Sequence, residues 1–192
     1  MTDDHVDYKR RRLLTVATTG MGIAGSVGLA VPFAGSMVPS ERAKAAGAPV
    51  KVDIGSLEMG QQLTVEWRGK PVWIIRRSQE ALDFLAGMDN LLVDPDSSMA
   101  QQPAYATNPY RSIKNDILVL VGICTHLGCS PKYRPELSAD TDAPFLCACH
   151  GSRFDLAGRV YKNVPAPKNL VVPPHRYLND TEILIGSDEE TA

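Results

Sequence analysis

An excess of positive charge is missing from this chain of 192 residues: 20 Lys and Arg stand against 22 Asp and Glu, a formal charge of −2. A nucleic-acid-binding domain would carry a strong basic footprint, so that class is excluded. Cysteines are few. All four lie between Cys124 and Cys149, which points to one local site and not to a disulfide scaffold spread along the chain. No internal repeat is present. Disorder throughout is excluded as well, because 44% of residues are hydrophobic and only 22% charged, the balance of a globular protein. The length suits one ordinary domain with an appendage.

Charge is also missing locally. Residues 13–40 contain no charged side chain over 28 positions rich in Ala, Val, Gly and Thr. About 20 apolar residues span a bilayer core as a helix. A buried soluble helix would need a polar face, and this run has none. Lys9-Arg10-Arg11-Arg12 stands directly before it and, with the apolar residues that follow, resembles a twin-arginine export signal. Positive charge on this side predicts a cytoplasmic N-terminus. Ala43-Lys44-Ala45 would serve as a cleavage site, but the apolar stretch far exceeds the roughly 7–15 residues of a signal core. A retained anchor is therefore the expectation, with Gly20, Ala24 and Gly28 forming a small-residue stripe on which other helices can pack.

The chain then divides into a cytoplasmic segment 1–12, a transmembrane helix 13–39, a small and polar flexible tether 40–49, and a domain 50–192. That domain is acidic, with 14 Lys and Arg against 18 Asp and Glu. Its pattern is one of short strands. Val50, Val52 and Ile54 alternate with polar residues, and Leu63–Trp67 and Val72–Ile75 flank Arg68-Gly69-Lys70 as a hairpin. Trp67 and Trp73 read as core or cross-strand residues. Ser78 is placed to cap a short helix through Leu85, ended by Gly87. Ile117–Val121 and Phe145-Leu146 read as strands that lead into the cysteines. Short strands separated by turns indicate an all-β sandwich or barrel. His5 and His175 are expected to be solvent-exposed.

Two loops carry the chemistry, C-T-H-L-G-C at 124–129 and C-A-C-H-G-S at 147–152, with 17 residues between them. Two thiolates and two imidazoles converge if these loops face each other, and the two remaining cysteines could then link them. A tetrahedral Cys2His2 zinc site and two structural disulfides with idle histidines remain open on spacing alone.

These two boxes closely resemble those of Rieske iron–sulfur proteins of the cytochrome bc family. The hairpin T-V-E-W-R-G-K-P-V-W-I-I-R-R, the arginine-flanked anchor, and Pro165-Ala166-Pro167 with Asn169-Leu170 extend the resemblance over most of the chain. It implies an antiparallel β sandwich with a small cluster-binding subdomain, whose loops fall within 122–167, preceded by one transmembrane helix. It further implies a 2Fe-2S cluster held by Cys124 and Cys147 on one iron and by His126 and His150 on the other. A Cys129–Cys149 disulfide would join the loops, and Ser152 would donate its hydroxyl to a cluster sulfur. Leu127, with His150, would contact quinol. Gly128, Gly151 and the proline segment would turn tightly and shield the cluster.

Phe154 departs from the many relatives that have tyrosine there, so a potential-raising hydrogen bond would be lost. The implied activity is electron transfer from quinol to a c-type cytochrome, with His150 and His126 at the catalytic centre. The implied partners are a cytochrome b subunit, a c-type cytochrome subunit and the bacterial inner membrane, in a dimeric complex with the head in the periplasm. Two other readings stay open: the Rieske small subunit of a periplasmic oxidase such as arsenite oxidase, and a zinc- or disulfide-stabilised periplasmic interaction domain.

Overall fold

The computed structural model describes residues 7–135 and 143–188. His5 lies outside the described residues, as do positions 1–6 of the N-terminal segment. The chain forms two compact units that divide after Ala45.

The first unit is built on α1 (Tyr8–Ser36), a helix of 29 residues, about 43 Å long at 1.5 Å per residue. It starts five residues earlier than the apolar run. The Asp7 carboxylate accepts from the Lys9 and Arg10 amides and caps the helix, so the arginines form its first turns. Every described side chain of α1 is exposed in the isolated chain, and the helix is long and apolar enough to cross a membrane. It ends at Ser36, three residues before Pro39.

The expected tether is not free of regular structure, because α2 (Glu41–Ala46) occupies most of it. Ser40 Oγ accepts from the Ala43 amide, and Lys44 pairs with Glu41 at 2.7 Å. Three alanines supply the propensity. The small, polar composition concealed a capped turn and a half of helix.

The second unit continues with β1 (Val50–Asp53), β2 (Gln62–Trp67) and β3 (Lys70–Arg76), then α3 (Gln79–Leu85), β4 (Ile117–Val121), β5 (Lys132–Tyr133), β6 (Phe145–Cys147), β7 (Ser152–Phe154), β8 (His175–Tyr177) and β9 (Glu182–Ile185). They form three antiparallel three-stranded sheets, ordered β1-β9-β8, β2-β3-β4 and β5-β6-β7. The β2–β3 hairpin closes on Arg68 and Gly69, both at positive φ. This two-residue turn matches strand twist. Ser78 Oγ caps α3, as its sequence suggested.

The middle sheet is covered on both faces. Val72 and Ile74 of β3, with Val119 and Val121 of β4, pack with Val52, Ile183 and Ile185 of the first sheet. Trp73 and Ile75, with Leu118 and Leu120, turn the other way and pack with Phe145, Cys147 and Phe154 of the third. Two buried faces explain why β3 and β4 read as continuous apolar runs and not as alternating ones. Trp73 stacks on Phe145 with centroids 5.4 Å apart, and its indole lies over Gly122, where a Cβ would come within 2.2 Å of the ring.

One expectation fails. His175 is 1% exposed. Its Nδ1 lies 2.9 Å from the Pro173 carbonyl, its amide donates to the Tyr105 hydroxyl at 2.8 Å, and its ring meets Tyr105 edge-on. Pairing β8 against β9 turns the histidine inward, and the prolines before it give no alternation that would reveal this. Burial pushes its pKa below the usual histidine value.

Two expectations follow. Gly122→Ala must displace Trp73 and should destabilise the domain by about 1–3 kcal/mol, measured as a lower denaturation midpoint; an unchanged midpoint would contradict the packing. His175 takes up its proton at a lower pH in the fold than in the unfolded chain, whose histidine titrates near pH 6.5, so stability drains away as pH falls below that value. The penalty of His175→Gln should therefore shrink between pH 7 and pH 5 in thermal melts, and a constant penalty would contradict the depressed pKa.

Candidate metal centre

β4 delivers the first box and β6 the second, and the backbone shapes both alike. The Gly128 amide donates to the Cys124 carbonyl at 3.1 Å, and the Gly151 amide to the Cys147 carbonyl at 2.9 Å. Each loop thus closes four residues after its first cysteine. Gly128 and Gly151 sit at φ +85° and +76°, where a side chain would be strained. The expectation that these glycines turn the backbone tightly holds. The Cys124 amide also donates to the Cys129 carbonyl at 2.7 Å, closing the first loop on itself.

The structure separates the four cysteines into two kinds. Cys129 and Cys149 form a disulfide across the loops. Cys124 and Cys147 remain free and buried. Burial pushes the Cys124 thiol up and the neighbouring Cys147 adds to this, while the His126 amide and the Ser152 hydroxyl favour its thiolate. The His126 and His150 rings face each other edge-on with centroids 4.7 Å apart. His126 is half-buried, and its Nδ1 is buried with no hydrogen-bond partner. His150 is exposed. Leu127, between the ring of His126 and Gly128 in sequence, is 70% exposed at the tip.

A buried acceptor without a donor is costly, and two buried thiols raise the same question. Metal bonded at sulfur and at Nδ1 would resolve both, so the donor set fits a metal group. A single zinc ion fits poorly. Tetrahedral bonds of about 2.0–2.3 Å bring all ligands within about 4 Å of one another. Among the described residues, the one set of three ligand atoms within 4.8 Å is Cys129, Cys147 and Cys149, and the disulfide has consumed two of those sulfurs. The four candidate ligands therefore span more than one ion's coordination sphere.

The profile of the Rieske [2Fe-2S] domain matches residues 50–175. The chain belongs to the Rieske iron–sulfur family. Residues 1–40 match the TAT signal of the ubiquinol–cytochrome c reductase Fe-S subunit. A ubiquinol–cytochrome c reductase iron-sulfur subunit from Allochromatium vinosum is 57% identical over all of this chain and 95% of its own length. One from Rhodospirillum rubrum is 41% identical over 94% of this chain and 93% of its own. Among solved structures, a chain of a hyperthermophilic respiratory Complex III superposes with a TM-score of 0.50, covering 88% of this chain and 98% of that one at 23% identity. That likeness supports the fold. The 2Fe-2S cofactor of a Rieske domain agrees with a donor set of two thiols and two imidazoles.

Other residues frame the Rieske site. Ser152 is fully buried opposite Cys147 in the β6–β7 pair. Phe154 is fully buried in the same apolar cluster as Cys124 and Cys147. Ala166 is buried between exposed Pro165 and Pro167, and its amide donates to Ser152 Oγ at 3.0 Å. Thr125 Oγ1 donates to the Lys168 carbonyl at 2.6 Å, tying the first box to this segment.

Sequence reasoning missed the polar hub behind these loops. Asp155 and Arg159, both fully buried, pair at 2.7 Å. Arg111 donates to the carbonyls of Ala157, Gly158 and Leu170, and Arg77 to those of Tyr110, Leu156 and Asn115. Burial lowers Arg77 and Arg111 to about 10, which leaves both charged at neutral pH. The i, i+4 spacing of Asp155 and Arg159 was the one signal available.

Proposed function

We propose that Cys124 and Cys147 hold one iron of the cluster as thiolates, and that His126 and His150 hold the other, His126 through Nδ1. The observation that carries this is the pairing of two free, buried thiols with two facing imidazoles on loops joined by one disulfide, with one imidazole open to solvent. The protein is an electron-transfer subunit of quinol–cytochrome c reductase, a membrane complex that contains cytochrome b and a c-type cytochrome. When bound, the cluster supplies one-electron chemistry at a potential raised by exchanging two thiolates for neutral imidazoles.

The residues divide the remaining work. His150 presents its outward ring nitrogen to the quinol hydroxyl, accepts that hydrogen bond, takes the proton there and releases it at the c-type cytochrome. Its exposure supports this role. Leu127, an apolar side chain projecting beside the imidazoles, packs into the wall of the quinol site. The Cys129–Cys149 disulfide pins two loops that have few backbone bonds of their own, and such a bond suits an oxidising compartment. The head therefore lies in the periplasm and the N-terminus in the cytoplasm, as the arginines before α1 indicate. Residues 40–49 let the head travel between cytochrome b and the c-type cytochrome within a dimeric complex.

Ligands and staple respond differently to substitution. Cys124→Ser or His150→Ala should abolish the Rieske EPR signal and quinol-dependent cytochrome c reduction in membranes. Cys129→Ser should leave part of the signal with lower thermal stability. A native signal in Cys124→Ser would reject the ligand set.

Phe154 offers a second test. Hydrogen bonds to cluster sulfurs favour the more negative, reduced state and raise the potential. Phe154→Tyr adds a hydroxyl within the cluster's apolar shell. A bond of about 1 kcal/mol corresponds to a rise of about 40 mV for one electron. A redox titration at fixed pH reads it, and an unmoved potential with the hydroxyl seated on sulfur would refute the argument.

A further inference from the structure

We propose that the Ala166 amide is a positioning group for the cluster: by donating to Ser152 Oγ it directs the Ser152 hydroxyl proton onto sulfur. The inference rests on the ligand assignment above.

A hydroxyl has one proton and two lone pairs, and its proton rotates to suit its surroundings. In a site open to water, that proton would divide its time among several acceptors. Ser152 is fully buried. Its oxygen accepts from the Ala166 amide at 3.0 Å, and Ser152 stands directly opposite the buried Cys147 across the β6–β7 pair. With a donor already filling a lone pair, the proton is left to sulfur. Bonds in series polarise one another, so the amide also strengthens the donation it directs.

The sequence around Ala166 isolates this one amide. Proline carries no N–H, so Pro165-Ala166-Pro167 offers a single donor between Val164 and Lys168. The segment is fastened to hold it in place. Thr125 Oγ1 grips the Lys168 carbonyl at 2.6 Å. Asn169, fully buried, accepts from the Val160 amide at 2.8 Å and donates to the Asp94 carbonyl at 3.0 Å. Leu170 is held at both ends, its amide on the Gly158 carbonyl and its carbonyl on Arg111. Packing alone would not require polar latches on successive residues beside the one free amide. The proline segment thus acts on the cluster's potential through Ser152, in addition to covering the site.

The test is a double-mutant cycle in the full-length, cluster-loaded protein. Ala166→Pro removes the amide proton. In the Ser152 background it should lower the equilibrium constant for reduction about twofold, close to 20 mV at about 59 mV per tenfold. In a Ser152→Ala background it should leave the potential where it is. Equal shifts in both backgrounds, or none in either, would overturn the proposal. Hydrogen exchange gives a second readout that needs no proline variant. In a peptide covering 165–168, only Ala166 and Lys168 can exchange, and Ser152→Ala should speed that exchange at least tenfold. Unaltered protection would overturn the relay and leave the ligand assignment standing. A wild-type chain without iron and sulfide would overturn both.

Discussion

The buried ion pair between Asp155 and Arg159 is the constraint on which the site depends. Neither side chain touches solvent, so their attraction must outweigh a desolvation cost of several kcal/mol per ion. It does so because few of their polar atoms are idle. Asp155 also accepts from the amides of Ala157 and Arg159 and so closes its own turn. Arg159 reaches the Leu85 carbonyl at the end of α3 and the Pro95 carbonyl beyond it. One guanidinium thereby joins a helix terminus, an irregular segment and the turn that follows β7. Breaking a buried pair by removing one partner typically costs about 3–5 kcal/mol, and without Asp155 the Arg159 guanidinium would keep only the exposed Asp89 carboxylate at 3.3 Å.

Arg77 and Arg111 extend this hub and explain how long irregular stretches stay ordered. The chain from 94 to 116 has no strand and only one short 3-10 turn. Its carbonyls, and those of the turn after β7, cannot find sheet partners. The two guanidinium groups satisfy those of Tyr110, Asn115, Leu156, Ala157 and Gly158, with Arg77 also on Ser112 and Arg111 also on Gln102. Each fork fixes several backbone groups in defined directions. The outcome is a rigid base under β7, which begins at Ser152 and carries Phe154.

From that base the electron-transfer site follows as a division of labour. Strands β4 and β6 bring the two boxes to one end, glycines at positive φ fold each box back toward its first cysteine, and the disulfide prevents the loops from parting. Apolar packing encloses the sulfurs, while the imidazoles and Leu127 stay at the tip. Enclosure keeps water from the sulfurs. One imidazole, that of His150, stays open to solvent. The same few residues therefore meet two opposite requirements, dry at the sulfurs and open at the ring.

Much of this was legible in the residues alone. The uncharged run at 13–40, the two boxes and the hairpin around Arg68-Gly69 are local patterns, and local patterns survive being read one residue at a time. Chemistry at the boxes was written in residue types that have few other reasons to occur together. Other features depended on what lies across the fold. His175 was read as exposed, and only its pairing with β9 turned it inward. Residues 41–46 were read as irregular because small polar residues suit a linker as well as a capped turn. Which cysteines pair, which thiols stay free, that Arg77, Arg111 and Arg159 are buried, and that an alanine amide meets a serine hydroxyl 14 residues away were decided by tertiary structure. The reason is physical: burial and partnership belong to pairs of segments distant in the chain, and no single segment carries them.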